Sequence, residues 1–254
     1  MIRVRKIQIP VLPTKEPRRL YIYLPAGYKR SGQRYPVLYM FDGHNVFYNS
    51  HATYGKSWGM REYLMRTQLP LIVVGIECNP EGDRRMNEYS PWDLDLPEEG
   101  HLEGFGKVTM DWITESLKPE IDREFRTLPE RENTFVAGSS MGGLMALYAV
   151  TAYNDVFSGA AALSPCFWAG KEQLHSLLSD TPFEFPTRVY MDYGTAEFDP
   201  EYREPLAEVF RGAAELSMAG ADAAAWAVPG AEHCEACWEK RIPLFMDYLL
   251  KDEF

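Results

Sequence analysis

Three kinds of side chain in this 254-residue chain stand in an order that suits nucleophilic chemistry: Ser140, then acidic residues around 192–199, then His233. A serine hydroxyl is a poor nucleophile near neutral pH. It needs an imidazole to take its proton and a carboxylate to orient that imidazole. Ser140 is the centre of Gly138-Ser139-Ser140-Met141-Gly142, which reads Gly-x-Ser-x-Gly. The order serine, acid, histidine accompanies this motif when it forms a nucleophile elbow. An elbow of that kind attacks a carbonyl and carries the acyl group on the serine.

His233 is expected to be the base. It follows the turn Val228-Pro229-Gly230-Ala231-Glu232, which can swing it back toward Ser140. His175 lies in a short helical run and is expected to face solvent. Glu197 is the expected acid, because Gly194-Thr195-Ala196-Glu197 places it just past a strand end. Asp192, still within that strand, and Asp199, farther along the same loop, are the alternatives. The chemistry also needs two backbone N–H groups to hold an oxyanion. One is expected from Met141, the residue after the nucleophile. The other is expected from Asp42-Gly43-His44-Asn45, at His44 or Asn45. The His44 side chain, which precedes the serine, reads as a pocket residue.

The elements around these residues supply their setting. Asn133-Thr134-Phe135-Val136-Ala137 is a β-branched and aromatic run before the motif, and Gly143 to Val150 is an apolar run of helix formers after it. Strand, sharp turn and helix are the context that makes the motif an elbow. Further strands are predicted at 19–24, 36–41, 71–76, 159–164, 188–193 and 223–228. Their near-continuous apolar character suits a sheet covered on both faces. Helices are predicted from Ser57 as N-cap through Leu64, over 105–125 with a break or bend at Pro119, over 205–218, and from Cys234 to Leu250. Asn79 to Gly104 reads as a long irregular loop, with Pro80, Gly82, Pro91, Pro97 and Gly100 in it. Loops that long usually serve function. Strands alternating with helices imply right-handed crossovers and a mainly parallel sheet in one α/β domain spanning residues 1–254. Ligands bind such sheets beyond the carboxyl ends of the strands.

Composition narrows the partners. A net charge of −11 with no basic stripe argues against nucleic acid and anionic membranes. No apolar run approaches the ~20 residues of a membrane span, and no apolar stretch follows the charged N-terminus as in a secretory signal. The expected location is the cytoplasm, although a chain with its signal removed would read the same way. The four cysteines fit no secreted disulfide framework. Cys234 and Cys237 form a lone C-x-x-C with no second pair to complete a zinc site, so two thiols on a packed helix are expected and no metal.

Taken together, several segments resemble the putative-esterase family of α/β-hydrolases, which includes enterochelin esterases, feruloyl esterases, S-formylglutathione hydrolases and mycolyltransferases. The resemblance runs from about Leu20 to the C-terminus. It rests on Val37 to Phe47, Arg85-Met86-Asn87-Glu88-Tyr89-Ser90-Pro91-Trp92, Gly138 to Gly143, Leu163-Ser164-Pro165, Gly194 to Glu197 and Glu232 to Trp238. It implies the α/β-hydrolase fold with helices on both faces, no cofactor, and ester hydrolysis through an acyl-serine. It supports Glu197 as the acid and the Asp42–Asn45 loop as second oxyanion donor. Ser139 departs from formylglutathione hydrolases, which usually carry histidine there, and the extra binding domain of many siderophore and feruloyl esterases is not expected here.

Asp42, Trp58, Trp92 and Trp168 are expected to touch substrate, among mouth aromatics that also include Phe47, Tyr48, Phe167 and Trp238. Aromatic faces suit a phenolic acyl group or a sugar ring. Asp93, Asp95, Glu98 and Glu99 make the long loop acidic, which disfavours strongly anionic ligands. The expected partner is a small-molecule ester, phenolic, acetyl or sugar-derived. A siderophore trilactone and acyl transfer to an alcohol are the alternatives. A binding protein without activity would not need Ser140, Glu197 and His233 together.

Overall fold

Short apolar runs bounded by glycine, proline and aspartate become the strands, and the runs of helix formers between them become the crossovers. The computed structural model describes residues 1–82, 84–96, 100–197 and 204–251. Its elements are β1 (Ile2–Ile7), β2 (Arg18–Tyr23), β3 (Val37–Met40), α1 (Met60–Thr67), β4 (Ile72–Ile76), α2 (Arg84–Glu88), β5 (Leu94–Leu96), β6 (Gly100–Leu102), α3 (Gly106–Trp112) and α4 (Lys118–Glu124). They continue with β7 (Thr134–Ser139), α5 (Met141–Ala152), β8 (Gly159–Leu163), α6 (Lys171–Asp180), β9 (Arg188–Gly194), α7 (Glu204–Met218), β10 (Asp222–Val228), α8 (Glu235–Glu239) and α9 (Ile242–Leu249).

Eight of the described strands form one sheet in the order β1-β2-β4-β3-β7-β8-β9-β10. β2 runs antiparallel to both β1 and β4, and every neighbour pair from β4 to β10 is parallel. Both faces are covered. Val136, Ala160 and Met191 point to one layer, with Met110, Leu144, Leu174 and Val209 from α3, α5, α6 and α7. Leu38, Phe135 and Tyr190 point to the other, with Leu64, Phe245 and Met246 from α1 and α9. Burial on both faces explains why these strands read as continuous apolar runs. No helix among the described residues is long and apolar enough to cross a membrane.

Four expectations change. The first helix starts at Met60 with Gly59 at φ 67° as its cap. Ser57 instead bonds Asn49 Oδ1 at 2.9 Å and accepts the Gly59 N–H at 3.3 Å. The segment 79–104 is not structureless: it holds α2 and the antiparallel pair β5–β6. Phe105 N–H to Asn87 O and Gly106 N–H to Ser90 O, both 2.7 Å, join the end of α2 to the start of α3. Pro119 does not break its helix. It sits in the first turn of α4, where its missing N–H is tolerated, after a π turn over Ile113–Leu117. The last helix is two helices, because Pro243 starts α9 afresh and Arg241 turns inward at the junction. Glu98, Glu99 and Asp199 lie outside the described residues.

Candidate active site

The chain enters the site along β7 and leaves it along α5, with Ser140 between them at φ 58° and ψ −125°. A non-glycine residue there carries about 1–3 kcal/mol of backbone strain, which its surroundings must hold in place. Ser140 N–H bonds Leu163 O on β8 at 3.0 Å, and Ser140 O accepts from Gly143 and Leu144, both at 3.0 Å. Gly138 is required: a Cβ there would lie 2.4 Å from Gly142 O, so any side chain would separate strand and helix. The Ser140 hydroxyl has Cys166 as its partner, Oγ to Sγ 3.2 Å. Burial pushes the Cys166 thiol up, so it stays a neutral thiol.

Two turns at the carboxyl ends of β9 and β10 bring His233 to Glu197. Thr195 N–H reaches Val228 O and Ala196 N–H reaches Ala231 O, both at 3.0 Å, which locks the turns together. His233 Nδ1 donates to Glu197 Oε2 at 2.7 Å. The Glu197 side chain is fully buried, and its other oxygen accepts from the Ser164 hydroxyl at 2.5 Å and Gly194 N–H at 2.6 Å. Burial alone would raise this carboxyl. The hydrogen bonds from His233 and Ser164 outweigh it and hold Glu197 below its usual value. Ser164 is itself steered by Trp238 Nε1 at 3.0 Å and Arg241 Nη1 at 3.1 Å.

Asp192 is close by and differently engaged. It accepts from Arg241 Nη1 and from the Tyr190 hydroxyl, both at 2.8 Å. Burial pushes it up to about 6 despite Arg241. Of the two acids described, Glu197 is the one joined to His233. The expectation for His175 is overturned: it is buried, bonded to Glu215 at 2.6 Å and to Glu208 at 2.8 Å.

Residues 43–45 form a short 3₁₀ turn after β3, and Asp42 precedes it at φ 55°. Asn45 N–H is spent on Asp42 O at 2.8 Å. Met141 opens α5, where the first N–H groups have no partner within the helix. Asp42 does not face a ligand. Arg85 from α2 clamps both its oxygens at 2.8 Å and reaches Ser139 O at 3.4 Å. Burial would raise Asp42, and Arg85 reverses that and holds it low. Arg85 was missed as a site residue. It appears in the sequence only as part of a motif, and its partner lies 43 positions away.

Asp42, His44 and Cys78 are the group among the described residues whose ligand atoms could share a cation, lying within 4.8 Å of one another. The donor set fits a metal poorly. Arg85 already neutralises Asp42, and burial holds Cys78 well above its usual value as a thiol. The Cys234–Cys237 pair is occupied locally: Cys237 Sγ accepts Glu232 N–H at 3.3 Å, next to His233.

Beside the elbow is a cavity of about 210 Å³. His233, Ser164 and Cys166 edge it, Phe167, Trp168 and Tyr193 give it aromatic walls, and Lys171, Glu204 and Glu208 stand around it. Trp168 is 54% exposed. The other expected tryptophans are elsewhere. Trp58 is core, 5.8 Å from Trp238 and 6.3 Å from Phe245. Trp92 packs edge-on against Tyr148 at 5.9 Å and lies over Gly170. Phe47 is buried, and the Trp238 ring meets the His233 ring at 4.9 Å.

The fold is that of the α/β-hydrolase esterases. An IroE-like serine hydrolase from Shewanella oneidensis superposes with a TM-score of 0.77 at 22% identity, over 98% of this chain and 79% of that one. The enterobactin esterase FES from Shigella flexneri, in the presence of enterobactin, gives 0.76 at 18%, over 100% and 60%. A family model described as "Putative esterase" matches residues 13–242, and the chain belongs to that family. Among curated relatives, the Bacillus subtilis protein YbbA is 28% identical over 187 residues, 71% of this chain and 69% of YbbA. The ferri-bacillibactin esterase BesA of the same organism is 30% identical over 155 residues, but that is only 48% of its length.

Proposed function

We propose that the protein is a serine carboxylic-ester hydrolase in which Ser140, His233 and Glu197 act together. The observation that carries this reading is the His233–Glu197 hydrogen bond, 2.7 Å long, from a cavity-edge imidazole to a fully buried carboxylate. In acylation, Ser140 Oγ leaves Cys166 and attacks the ester carbonyl carbon while His233 Nε2 takes the hydroxyl proton. Met141 and His44 N–H hold the oxyanion. The C–O bond to the alcohol then breaks, and His233 returns the proton to the leaving oxygen. Water repeats the cycle on the acyl-serine. Glu197 keeps Nδ1 protonated and stabilises the imidazolium. Catalytic hydrogen bonds are often long in a ligand-free site and tighten with substrate, consistent with the hydroxyl resting on Cys166.

The aromatic walls support an aryl or other flat group in the cavity, so phenolic, acetyl and sugar esters are the proposed substrates. The names of BesA and FES favour one second reading, a siderophore trilactone. A fluorophosphonate should label the protein once, on Ser140, and Ser140→Ala should neither label nor turn over an aryl ester. Labelling elsewhere, or turnover by the variant, would refute the reading. Feruloyl, acetyl-sugar and catecholate-trilactone esters compared side by side would choose the substrate.

A further inference from the structure

Asn45 and Glu235 lie 190 positions apart and meet beside the elbow, where Asn45 Nδ2 donates to Glu235 Oε1 at 3.2 Å. Asn45 closes the turn that presents His44 N–H, and its own Oδ1 accepts Thr53 N–H at 2.9 Å. Glu235 opens α8, two residues after His233, and is only 5% exposed. Asp42, His233 and Arg85 act on it electrostatically. A buried carboxyl is costly unless hydrogen-bonded, so its presence here calls for a use.

The rest of the turn is fixed from other directions. Arg85 holds Asp42. Gly43 lies against the β4 backbone, so that a Cβ there would be 2.4 Å from Gly75 C. Trp58 N–H ties Asn45 O to the segment leading into α1 at 2.8 Å. Glu235 adds a tie from the turn to the segment that carries the histidine.

We infer that Asn45 and Glu235 are positioning residues, a hydrogen-bonded strut that sets the His44 oxyanion donor relative to His233. The inference rests on the serine-esterase reading. Neither residue touches the reacting atoms. Their effect is geometric, and displacement of a catalytic group by about 1 Å costs on the order of 100-fold in rate.

The test compares Asn45→Ala, Glu235→Ala, Glu235→Gln and the double alanine variant with the wild-type enzyme. It reads kcat and KM on an aryl acetate, the Ki of an aryl trifluoromethyl ketone, and Tm. Fluorophosphonate labelling of wild-type Ser140 is checked first, and its failure would refute the function itself rather than the strut alone. Each alanine variant should lose about 10- to 100-fold in kcat with KM nearly unchanged, and should bind the ketone more weakly by the same factor. The double variant should be no worse than the single ones, because one hydrogen bond is lost once. Glu235→Gln should recover most of the rate, since its amide oxygen still accepts from Asn45. Asn45 is only half-buried, so Asn45→Ala reports even where Glu235→Ala fails to fold. Unchanged kcat, losses that multiply in the double variant, or a rate loss without weaker ketone binding would each overturn the strut.

Discussion

His233 turns Nδ1 to Glu197 at 2.7 Å and keeps its ring on the edge of the cavity. His175 gives one nitrogen to Glu215 at 2.6 Å and the other to Glu208 at 2.8 Å, and its ring packs on Phe167 with centroids 5.0 Å apart. Both are histidine–carboxylate pairs. They differ in where the ring stands: His233 lines the cavity beside the elbow, whereas His175 is buried behind the cavity wall, against Phe167 and Glu208, which line it. A general base needs one nitrogen oriented and another able to meet a substrate proton. A ring bonded at both nitrogens to carboxylates has no such position, and it braces the wall from behind. A histidine beside an acid is therefore not enough to mark a base. Access to the cavity decides.

The largest effects should separate the two pairs. Ser140→Ala and His233→Ala should each lose at least about 10⁴-fold in turnover with the fold intact. His175→Ala should keep turnover within about tenfold and lose roughly 2–3 kcal/mol of stability, because buried Glu215 and half-buried Glu208 lose their common partner. Urea unfolding beside steady-state kinetics checks both. Loss of turnover in a well-folded His175→Ala enzyme would break the contrast.

The acids should divide the same way. Glu197→Gln should cost about 10²- to 10⁴-fold in kcat, because the imidazole loses its orienting anion. Asp192→Asn should keep activity within about tenfold, because this carboxyl is engaged by Arg241 and Tyr190 rather than by His233. An inactive, stable Asp192→Asn would transfer the role of acid to Asp192.

The two carboxylates also predict opposite responses to pH. Glu197 is lowered in the fold, so its stabilising contribution is complete above the ordinary glutamate value and is lost as pH falls through the folded one. Asp192 is raised to about 6. Its ionised form is penalised in the fold near neutrality, and that penalty is relieved as pH falls through about 6 toward the unfolded value. The wild-type protein should therefore gain roughly 1 kcal/mol over Asp192→Asn between pH 7 and 5. Relative to Glu197→Gln, its advantage should shrink below about pH 4.5. Equal slopes for both comparisons would mean that the two carboxyls titrate as one unit through Arg241.

The sheet and the elbow were legible because strands buried on both faces announce themselves as apolar runs, and because Gly-x-Ser-x-Gly sits between strand and helix. His233 was legible from its place after the last strand. What stayed hidden depends on distant partners. His175 reads as a surface residue on a short polar helix, and only α7, 33 to 40 positions later, supplies the acids that bury it. Arg85 lies in a stretch broken by proline and glycine, where a five-residue helix leaves almost no periodic signal. The inward turn of Arg241 follows from the break before α9, which the continuous apolar pattern concealed. Trp58 and Trp92 could not be told from Trp168 by residue type, because tryptophan fills cores and lines mouths alike.

That last ambiguity gives the finest test, a matched pair of tryptophans. Trp168 lines the cavity and is 54% exposed, whereas Trp92 is wedged between Tyr148 and Gly170. Of the expected substrate contacts, the one at Trp168 is therefore kept and the one at Trp92 is not. Trp168→Ala should raise KM for feruloyl or benzoyl esters about three- to tenfold and change kcat little, as expected when binding is lost equally from ground and transition states. Acetyl esters are too small to reach the ring and should be nearly unaffected. Trp92→Ala should act through packing, lowering stability by about 3 kcal/mol while treating both kinds of ester alike. Steady-state kinetics on an acetyl and feruloyl pair, with Tm for each variant, separates the two roles. Equal losses on both esters in Trp168→Ala would mean that the exposed ring braces the cavity without reading what enters it. A KM effect confined to aryl esters in Trp92→Ala would return the selective role to the 79–104 segment.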